Sequence, residues 1–341
     1  MYRLPSIFVI VLSIFSSDGG FAGQAPSVAD FRGHTIALEQ PAERVVCLIE
    51  SALSGIYMLG AESSVIGVST NIYDEDVFDY YAAIDTRIAE KQLPTPGNWD
   101  FVNIESVLAL SPDLVIIWAN QVEAIQALEE HGLAVYTVQL TSLEDVFKEI
   151  KDLGQLLGRQ QRAESLSSFA ETELRKLQET SIKTPESARP SIYFMWAQGL
   201  LETSGGSSTA NDLITLAGGK NVARNLDQEH LVVNLENIVG WQPDIIVMWI
   251  NSRLSPEDVK KTPVWSTLPA ARQNRIYELP EVFLCDFWTL KFLYAAKLIN
   301  SWCKQAATAA PPDQINHYQQ ELLTALYGPE KGEKLVRAKN K

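Results

Sequence analysis

The chain has 341 residues with 28 basic and 42 acidic side chains, which gives a formal net charge of −14. A composition of 46% hydrophobic and 21% charged residues is that of a folded globular protein and excludes a disordered or fibrous chain. The length indicates two domains or one large one, and the acidic balance argues against a nucleic-acid partner, since phosphate binding requires a basic surface.

Residues 1–25 have the pattern of a secretory signal peptide. Arg3 supplies a short positive start, and the apolar run over 7–15 is too short to span a membrane. Small and polar residues follow, so we expect cleavage after Ala22 or Ala25 and export of a soluble protein into the periplasm.

The next segment alternates short apolar runs with helical patterns, which is typical of an α/β domain with a parallel sheet. Strands are predicted over 34–38, 44–49 and 65–68. A helix predicted over 52–59 ends at Gly60, a residue favoured at helix ends.

Cysteine usage indicates neither a metal site nor a disulfide framework. Cys47, Cys285 and Cys303 allow one disulfide at most in an oxidising compartment, and the sequence does not choose the pair. Because no two cysteines have C-x-x-C spacing, a thiolate zinc site is disfavoured.

An 18-residue pattern occurs twice, at 103–120 and at 234–251. Six positions are identical (Asn, Glu, Pro, Asp, Trp and Asn), and most of the others exchange one aliphatic residue for another. Each copy predicts an Asn-capped short helix, a Pro-Asp turn and a buried strand that ends at a tryptophan. The repeat therefore indicates two related α/β lobes, offset by 131 residues.

A long helix is predicted between the two copies. Residues 160–180 contain no Gly or Pro, and apolar residues from Leu166 to Leu177 recur at helical spacing. The proline-containing segment 183–190 ends this helix, and the strand predicted over 191–196 opens the second lobe. A helix between lobes moves less freely than a multi-strand hinge, so we expect a modest opening and closing.

Several motifs occur in the order found in one protein family: Arg44-Val45-Val46, Leu59-Gly60-Ala61, Asn103-Ile104-Glu105 with Pro112-Asp113, the run from Leu216 to Asn221, and Glu236 with Pro243-Asp244. In these the chain resembles the substrate-binding proteins of ABC importers for ferric siderophores, vitamin B12 and haem. The resemblance covers about residues 30–305. It implies an α/β fold of two Rossmann-like lobes with central parallel sheets, joined by one long α-helix, with the ligand cleft between the lobes. It also implies a binding function and no catalytic residues.

The resemblance and the repeat together divide the chain into five parts. They are a signal peptide (1–25), an N-terminal lobe (26–158), a linking helix (159–182), a C-terminal lobe (183–310) and a C-terminal helix and tail (311–341). The tail is expected to form a surface helix over 317–327 and then a frayed basic end.

Two glutamates match residues that dock the family's proteins onto an ABC permease dimer with its ATPase subunits. Glu105 and Glu236 occupy the same position in the two copies of the repeat. Two carboxylates on separate lobes suit two equivalent basic pockets, and such charged contacts give orientation and association rate. The alternative is that each Glu only complements the dipole of its short helix.

Most ligand-binding candidates follow a predicted strand, because α/β sheets bind ligands beyond the carboxyl ends of their strands. Trp99 and His230 are added because each lies six residues before one of the two glutamates, and Phe287 and Trp288 because they supply stacking surfaces in the loop 280–288. Aromatic walls suit large or planar ligands, although Trp118 and Trp249 are equally consistent with core positions. The candidates are Glu50, Ser51, Tyr73, Trp99, Trp118, Trp196, His230, Trp249, Arg253, Phe287 and Trp288.

His230 is the one candidate metal ligand. It lies six residues before Glu236, as Trp99 lies six residues before Glu105, and a catecholate-siderophore binder of the family has a metal-ligating His nearby. The Tyr that accompanies that His has no counterpart in the loop 280–288. A surface position for His230 is the alternative.

The resemblance implies a monomer with no cofactor of its own, whose transported metal chelate contains Fe(III) or Co. A ferric siderophore ranks first as the ligand and a cobamide second, followed by haem, nickel chelates and oxyanions. The Gly-rich stretch 204–209 before a predicted helix is consistent with an anion site or with a plain turn. A secreted α/β hydrolase is a distant alternative, because the sequence has neither G-x-S-x-G nor H-E-x-x-H.

Overall fold

The computed structural model describes residues 25–181, 184–250, 253–304 and 312–338. The segment predicted as a signal peptide lies outside these ranges except for Ala25, and so does Asn251, the last residue of the second repeat. Two lobes, each built on a four-stranded parallel sheet, are joined by one long helix. Among the described residues, no helix is both long enough and apolar enough to cross a membrane.

The N-terminal lobe contains six strands and six helices. The strands are β1 (Ser27–Ala29), β2 (Thr35–Ala37), β3 (Val45–Cys47), β4 (Val65–Val68), β5 (Leu114–Trp118) and β6 (Val135–Val138). The helices are α1 (Glu50–Leu59), α2 (Glu75–Ile84), α3 (Thr86–Ala89), α4 (Ile104–Ala109), α5 (Val122–Glu130) and α6 (Leu143–Leu156). The linking helix is α7 (Gln160–Ser181).

The C-terminal lobe repeats this alternation, and two further helices follow it. Its strands are β7 (Ser191–Met195), β8 (Glu202–Thr203), β9 (Lys220–Asn221), β10 (Leu231–Val232), β11 (Ile245–Met248) and β12 (Ile276–Glu278). Its helices are α8 (Thr209–Leu216), α9 (Leu235–Trp241), α10 (Pro256–Lys261), α11 (Pro269–Arg272) and α12 (Phe292–Lys304). The last two helices are α13 (Pro312–Tyr327) and α14 (Pro329–Ala338).

The two large sheets have corresponding strand orders, β4-β3-β5-β6 and β12-β11-β7-β9, and all their neighbouring strands are parallel. In each sheet the strand of the repeated motif, β5 or β11, pairs with the first large-sheet strand of its lobe, β3 or β7. Two small antiparallel pairs, β1-β2 and β8-β10, lie outside these sheets. The predicted fold class, two α/β lobes with parallel sheets and a long connecting helix, is confirmed.

The Pro-Asp turn of the repeat ties the motif strand to its neighbour in both lobes. Asp113 accepts hydrogen bonds from the backbone N–H groups of Glu43 and Arg44, at 2.9 and 3.0 Å. Asp244 accepts the corresponding bond from the backbone N–H of Ser191 at 2.8 Å. Since a carboxylate that accepts backbone bonds is a strong partner, this turn explains why both copies keep the aspartate at the same place.

Both faces of each sheet are buried, as expected for parallel strands. Val45 and Cys47 face one large apolar cluster that runs through both lobes, whereas Val46 and Leu48 face a smaller cluster under α4 and α5. Helix α7 buries Leu166, Ala170 and Leu177 in the large cluster, so its predicted apolar stripe packs inward. The core is therefore continuous from one lobe to the other.

The helix predicted over 317–327 is present, but it is not a surface helix, and residues 331–338, predicted to be frayed, are helical. Helix α13 begins at Pro312, packs against α1, α7 and α12, and buries Leu322, Leu323 and Leu326. Helix α14 then packs against α2 and α13, with Leu335 fully buried. The apolar residues of this amphipathic segment face the protein because neighbouring helices cover them, which local sequence does not reveal.

None of the three cysteines, all of them described by the structure, takes part in a disulfide. Cys47 and Cys285 are fully buried, and burial raises the pKa of the Cys47 thiol far above its usual range. Burial also raises the pKa of Cys303 to about 12. The thiols of Cys47 and Cys303 therefore stay protonated at neutral pH.

Candidate ligand-binding cleft

A cavity of about 850 Å³ lies at the carboxyl ends of strands from both large sheets. Six of the predicted residues line it: Glu50, Ser51, Trp99, Trp118, Trp249 and Trp288. Volumes of this size accommodate a large small-molecule ligand.

Helix α1 places the first two of these side chains. The chain leaves β3 and enters α1 directly, so Glu50 and Ser51 stand at the helix start, where the N–H groups carry a partial positive charge. Glu50 Oε1 accepts a hydrogen bond from the Ser69 hydroxyl at 2.6 Å. The Ser51 Oγ is buried and has no hydrogen-bond partner among the described atoms.

Two tryptophans of the N-terminal lobe stand on the open side of the cavity. Trp99 is 53% exposed, on a loop held by the Asn98 side chain, which accepts from the backbone N–H groups of Asp100 and Phe101. Trp118 ends β5 and is half-buried. Both rings are thus available for contact with a flat ligand.

The C-terminal wall is a packed aromatic cluster, which we call the C-lobe aromatic cluster and define as Phe194, Trp196, Trp249, Phe287 and Trp288. Trp249 lies 4.9 Å from Phe287 and 5.2 Å from Trp196 between ring centroids. Trp249 and Trp288 reach the cavity, whereas Phe287 and Trp196 lie behind them.

His230 is exposed and stacks on the outer face of Trp196, at 5.0 Å between ring centroids. Trp196 in turn lies parallel to Trp288, at 6.1 Å, so three rings form one stack. Partial burial lowers the pKa of His230, and Glu202, whose carboxylate lies 3.7 Å from Nε2, opposes that shift. The imidazole is therefore neutral at pH 7, and it does not line the cavity.

Two further predicted residues lie away from the cavity wall. Tyr73 packs against Phe78 and donates a hydrogen bond from its hydroxyl to the Leu93 carbonyl at 3.0 Å. Arg253 is exposed to solvent. The structure brings neither of them together with Glu50 or the tryptophans.

The Gly-rich stretch forms a plain turn. The N–H groups of Gly205 and Gly206 donate to the carbonyls of Gln228 and Leu226, so they are not available to an anion. A Cβ on Gly205 would lie 2.2 Å from the Leu226 oxygen, which explains why glycine is needed there. Ser208 caps α8 through its side chain.

A buried ion pair on the C-terminal side of the cavity was not found from the sequence. Lys291 Nζ lies 3.7 Å from the Asp286 carboxylate and 3.7 Å from the centroid of the Phe283 ring. Burial lowers the pKa of Lys291 to about 8, with Asp286 opposing, and burial raises the pKa of Asp286 against the effect of Lys291. Both side chains are largely removed from water, and the attraction between the two charges offsets the cost of their burial.

Two other carboxyls have raised pKa values on or near this cavity. Burial raises the pKa of Glu50, and the Asp286 charge across the cleft adds to it. Burial also raises the pKa of Glu229, with a contribution from Asp145. Within the described residues, no group of three or more His, Cys, Asp or Glu side chains is placed to hold a metal ion.

Arg32 is the other cation on the wall, and two carboxylates already engage it. It lies 2.9 Å from Asp30 and 2.7 Å from Glu129, and it also donates to the Thr137 hydroxyl. Its charge is therefore largely balanced before any ligand arrives. The cavity as a whole is aromatic and neutral to acidic.

Sequence reasoning missed several wall residues, and for some of them a signal existed. Strand β6 was not predicted, although Val135-Tyr136-Thr137-Val138 is a β-branched and aromatic run. The residues after it, 139–141, line the cavity as the strand-end rule requires. Arg32 lies in the β1-β2 turn, far from any large-sheet strand end, and no local pattern singled it out.

The glutamates of the repeat are exposed on short helices. Glu105 and Glu236 lie in the first turns of α4 and α9, after Asn103 and Asn234, whose side chains cap these helices. The two copies of the motif thus present the same side chain from the same local structure.

Comparison with known proteins agrees with this architecture. The chain is 26% identical over 261 residues to a Bacillus subtilis protein described as the uncharacterized ABC transporter substrate-binding lipoprotein YvrC, covering 74% of this chain and 77% of that protein. It is 26% identical over 252 residues to the vitamin B12-binding protein of Vibrio parahaemolyticus, covering 73% and 85%. The solved structure of Helicobacter pylori CeuE in a Ni–His complex superposes with a TM-score of 0.73 at 19% identity, covering 89% of this chain and 96% of CeuE.

The family model described as periplasmic binding protein matches residues 45–282, which include both large sheets and most of the residues that line the cleft. The chain therefore belongs to the periplasmic binding protein family, a family of solute-binding proteins and not of enzymes.

Proposed function

We propose that this protein is the substrate-binding component of an ABC importer and carries a corrinoid, a metal chelate of the vitamin B12 type. The observation that carries the proposal is the combination of aromatic walls with a neutral to acidic interior. Trp99, Trp118, Trp249 and Trp288 offer flat surfaces to a large ring system. A transport protein named for vitamin B12 is among its relatives.

The charge of the cavity distinguishes this ligand from the other candidates. A ferric tris-catecholate siderophore has a threefold negative charge, and haem carries two propionates, so both call for free cationic side chains. Arg32 and Lys291 are already engaged by carboxylates. A corrinoid instead presents neutral amide N–H groups around its rim. The carboxylates of Glu50 and Asp74 on the cavity wall are able to accept hydrogen bonds from these groups.

Delivery would use Glu105 and Glu236. Both are exposed, and each follows an apolar residue of the same motif, half-buried Ile104 in one lobe and exposed Leu235 in the other. Docking onto a permease dimer with its ATPase subunits requires two similar surfaces on the two lobes, which the repeat provides. We further propose that the protein works in the periplasm as a monomer, because one chain carries both docking surfaces.

The test is a tryptophan-quenching titration with four chelates that differ in charge. Cyanocobalamin, a ferric tris-catecholate, haem and Ni(II) with histidine would each be added to the protein lacking residues 1–25. We expect saturable quenching by cyanocobalamin at micromolar or lower concentration. Saturable quenching by the tris-catecholate, with none by cyanocobalamin, would overturn the corrinoid proposal and return the siderophore to first place.

Glu50→Gln is a variant matched to the charge argument. It keeps the size of the side chain but replaces one acceptor oxygen with an amide NH2 donor and removes the negative charge. Cyanocobalamin should therefore bind more weakly, and an anionic chelate should bind more tightly than it does to the parent. A stronger response to the anionic chelate in the wild-type protein than in Glu50→Gln would contradict the proposal.

A further inference from the structure

The helices after the C-terminal lobe touch both lobes at the back of the cleft. Helix α13 packs against α1 of the N-terminal lobe, against α7, and against α12 of the C-terminal lobe. Helix α14 packs on α2, which contributes Val77 and Tyr81 to the cavity wall. We call these two helices, residues 312–338, the C-terminal clasp.

Tyr327, the last residue of α13, contacts a residue of each lobe. Its hydroxyl lies 2.6 Å from Ser54 Oγ on α1, where both groups are buried. Its ring lies 6.2 Å from Phe283, centroid to centroid, and Phe283 belongs to the C-terminal wall of the cavity. One side chain thus links the helix that carries Glu50 and Ser51 to the opposite wall.

Phe283 is also the point where the two walls meet directly. It stacks on Tyr80 at 4.3 Å with nearly parallel rings, and Tyr81 meets it edge-on at 5.4 Å. The Tyr81 hydroxyl in turn donates to the Glu50 carbonyl at 3.1 Å. A motion that separates the lobes must therefore break the contacts of Phe283 with Tyr80 and Tyr81. It must also either break the contact of Phe283 with Tyr327 or move the clasp together with the C-terminal wall.

The clasp is fastened to the rest of the protein at two more points. Arg162 on α7 donates to the carbonyls of Ala325 and Leu326 at the end of α13, and also to the Met58 carbonyl at the end of α1. Lys331 on α14 forms an ion pair with Glu62 of the N-terminal lobe. These contacts hold the end of α13 in place, and with it Tyr327.

We propose that the C-terminal clasp is part of the ligand-binding unit: through Tyr327 it sets the separation of the two cleft walls and limits their opening. Tyr327 acts as a positioning residue, since it does not line the cavity itself. The inference does not depend on which chelate is bound, because it concerns the ligand-free geometry.

Two point variants loosen the clasp without removing it. Tyr327→Phe keeps the ring and removes only the hydroxyl that meets Ser54. Gly332→Ala adds a Cβ that would lie 2.8 Å from Thr324 Cα, so it pushes α14 away from α13. Gly240→Ala is the matched control, because a Cβ there meets nothing within 4 Å.

The test measures the distance between the lobes by double electron–electron resonance on the spin-labelled full chain without ligand. Labels would be attached through Glu123→Cys on α5 and Glu257→Cys on α10, both exposed, with Cys303→Ser to remove the half-buried thiol. We expect one narrow distance distribution for the parent and Gly240→Ala, and a broader one, extended to longer distances, for Tyr327→Phe and Gly332→Ala.

Ligand affinity gives a second readout. If only a third of the molecules keep the lobe separation of the parent, the apparent Kd for cyanocobalamin rises about threefold in the two clasp variants and stays unchanged in Gly240→Ala.

Narrow, unshifted distance distributions in both clasp variants would overturn the proposal. If Gly332→Ala does not fold, Tyr327→Phe decides alone, since it removes one oxygen only. Failure of every chelate to bind would count against the proposed function and leave the distance test intact.

Discussion

Trp118 and Trp249 occupy the same position of the repeated motif, yet the two lobes use them differently. Trp118 is half-buried at the end of β5, whereas Trp249 is 8% exposed and sits among Trp196, Phe287 and Trp288. A similar contrast holds for the other equivalent pair: Trp99 lines the cavity, whereas His230 stacks on Trp196 and does not line it. The repeat thus sets where the strand ends, and the neighbouring segments decide how deeply the side chain at that point is buried.

The largest expected effect comes from removing the two motif tryptophans. Trp249→Ala should lower the free energy of unfolding by about 3–5 kcal/mol, because it empties a packed aromatic site. Trp118→Ala should lower it by about 1–2 kcal/mol, since less surface is buried there. Urea unfolding of both variants measures the difference; equal losses would mean that the two lobes use the motif in the same way.

Substitutions in the Pro-Asp turns should have similar effects on stability in the two lobes, because the turns make corresponding contacts in both. Asp113→Ala and Asp244→Ala each remove a carboxylate that accepts backbone N–H groups, so each should cost about 2 kcal/mol of stability. Urea unfolding checks this, with Asp100→Ala as an exposed control. A loss confined to one variant would contradict the shared role of the turn.

The pair Trp99 and His230 sharpens the comparison at the level of binding. Trp99→Ala should weaken cyanocobalamin about tenfold, because it removes an exposed ring from the cavity wall. His230→Ala should change the Kd by less than about twofold, since the imidazole lies behind Trp196. The reverse order in a quenching titration would support direct ligation by His230.

The smallest effect concerns Glu149, a fully buried carboxyl of α6 whose pKa burial raises well above its usual range, with Asp286 adding to the shift. The folded protein then holds a proton that the unfolded chain loses near pH 4.5, so stability falls as pH rises above that value. Glu149→Gln removes this loss, so its stability relative to the parent should be higher at pH 8 than at pH 5. Parallel pH profiles of melting temperature for variant and parent would contradict this assignment.

The sequence predicted the fold well because its signals are local. The Asn caps, the Pro-Asp turns and the buried strands are read from short segments, and the structure has them at 103–118 and 234–248. The long helix was equally visible, since residues 160–180 contain no Gly or Pro.

Part of the cavity wall could not be predicted from local sequence. Glu50, Trp99 and Trp118 follow from the strand-end rule or from their exposed setting, whereas the Asp286–Lys291 pair and the engaged Arg32 depend on contacts between distant segments. The packing of the clasp was missed for the same reason, because the burial of α13 depends on helices α1, α7 and α12.

The most direct test of the central claim is a competition observed by native mass spectrometry. The protein lacking residues 1–25 would be mixed with equimolar cyanocobalamin, haem, a ferric tris-catecholate and Ni(II) with histidine. The account predicts a single one-to-one adduct with the mass of cyanocobalamin, and its reduction in Trp99→Ala. An adduct with the tris-catecholate or haem in its place would show that a neutral to acidic aromatic cleft does not select the corrinoid.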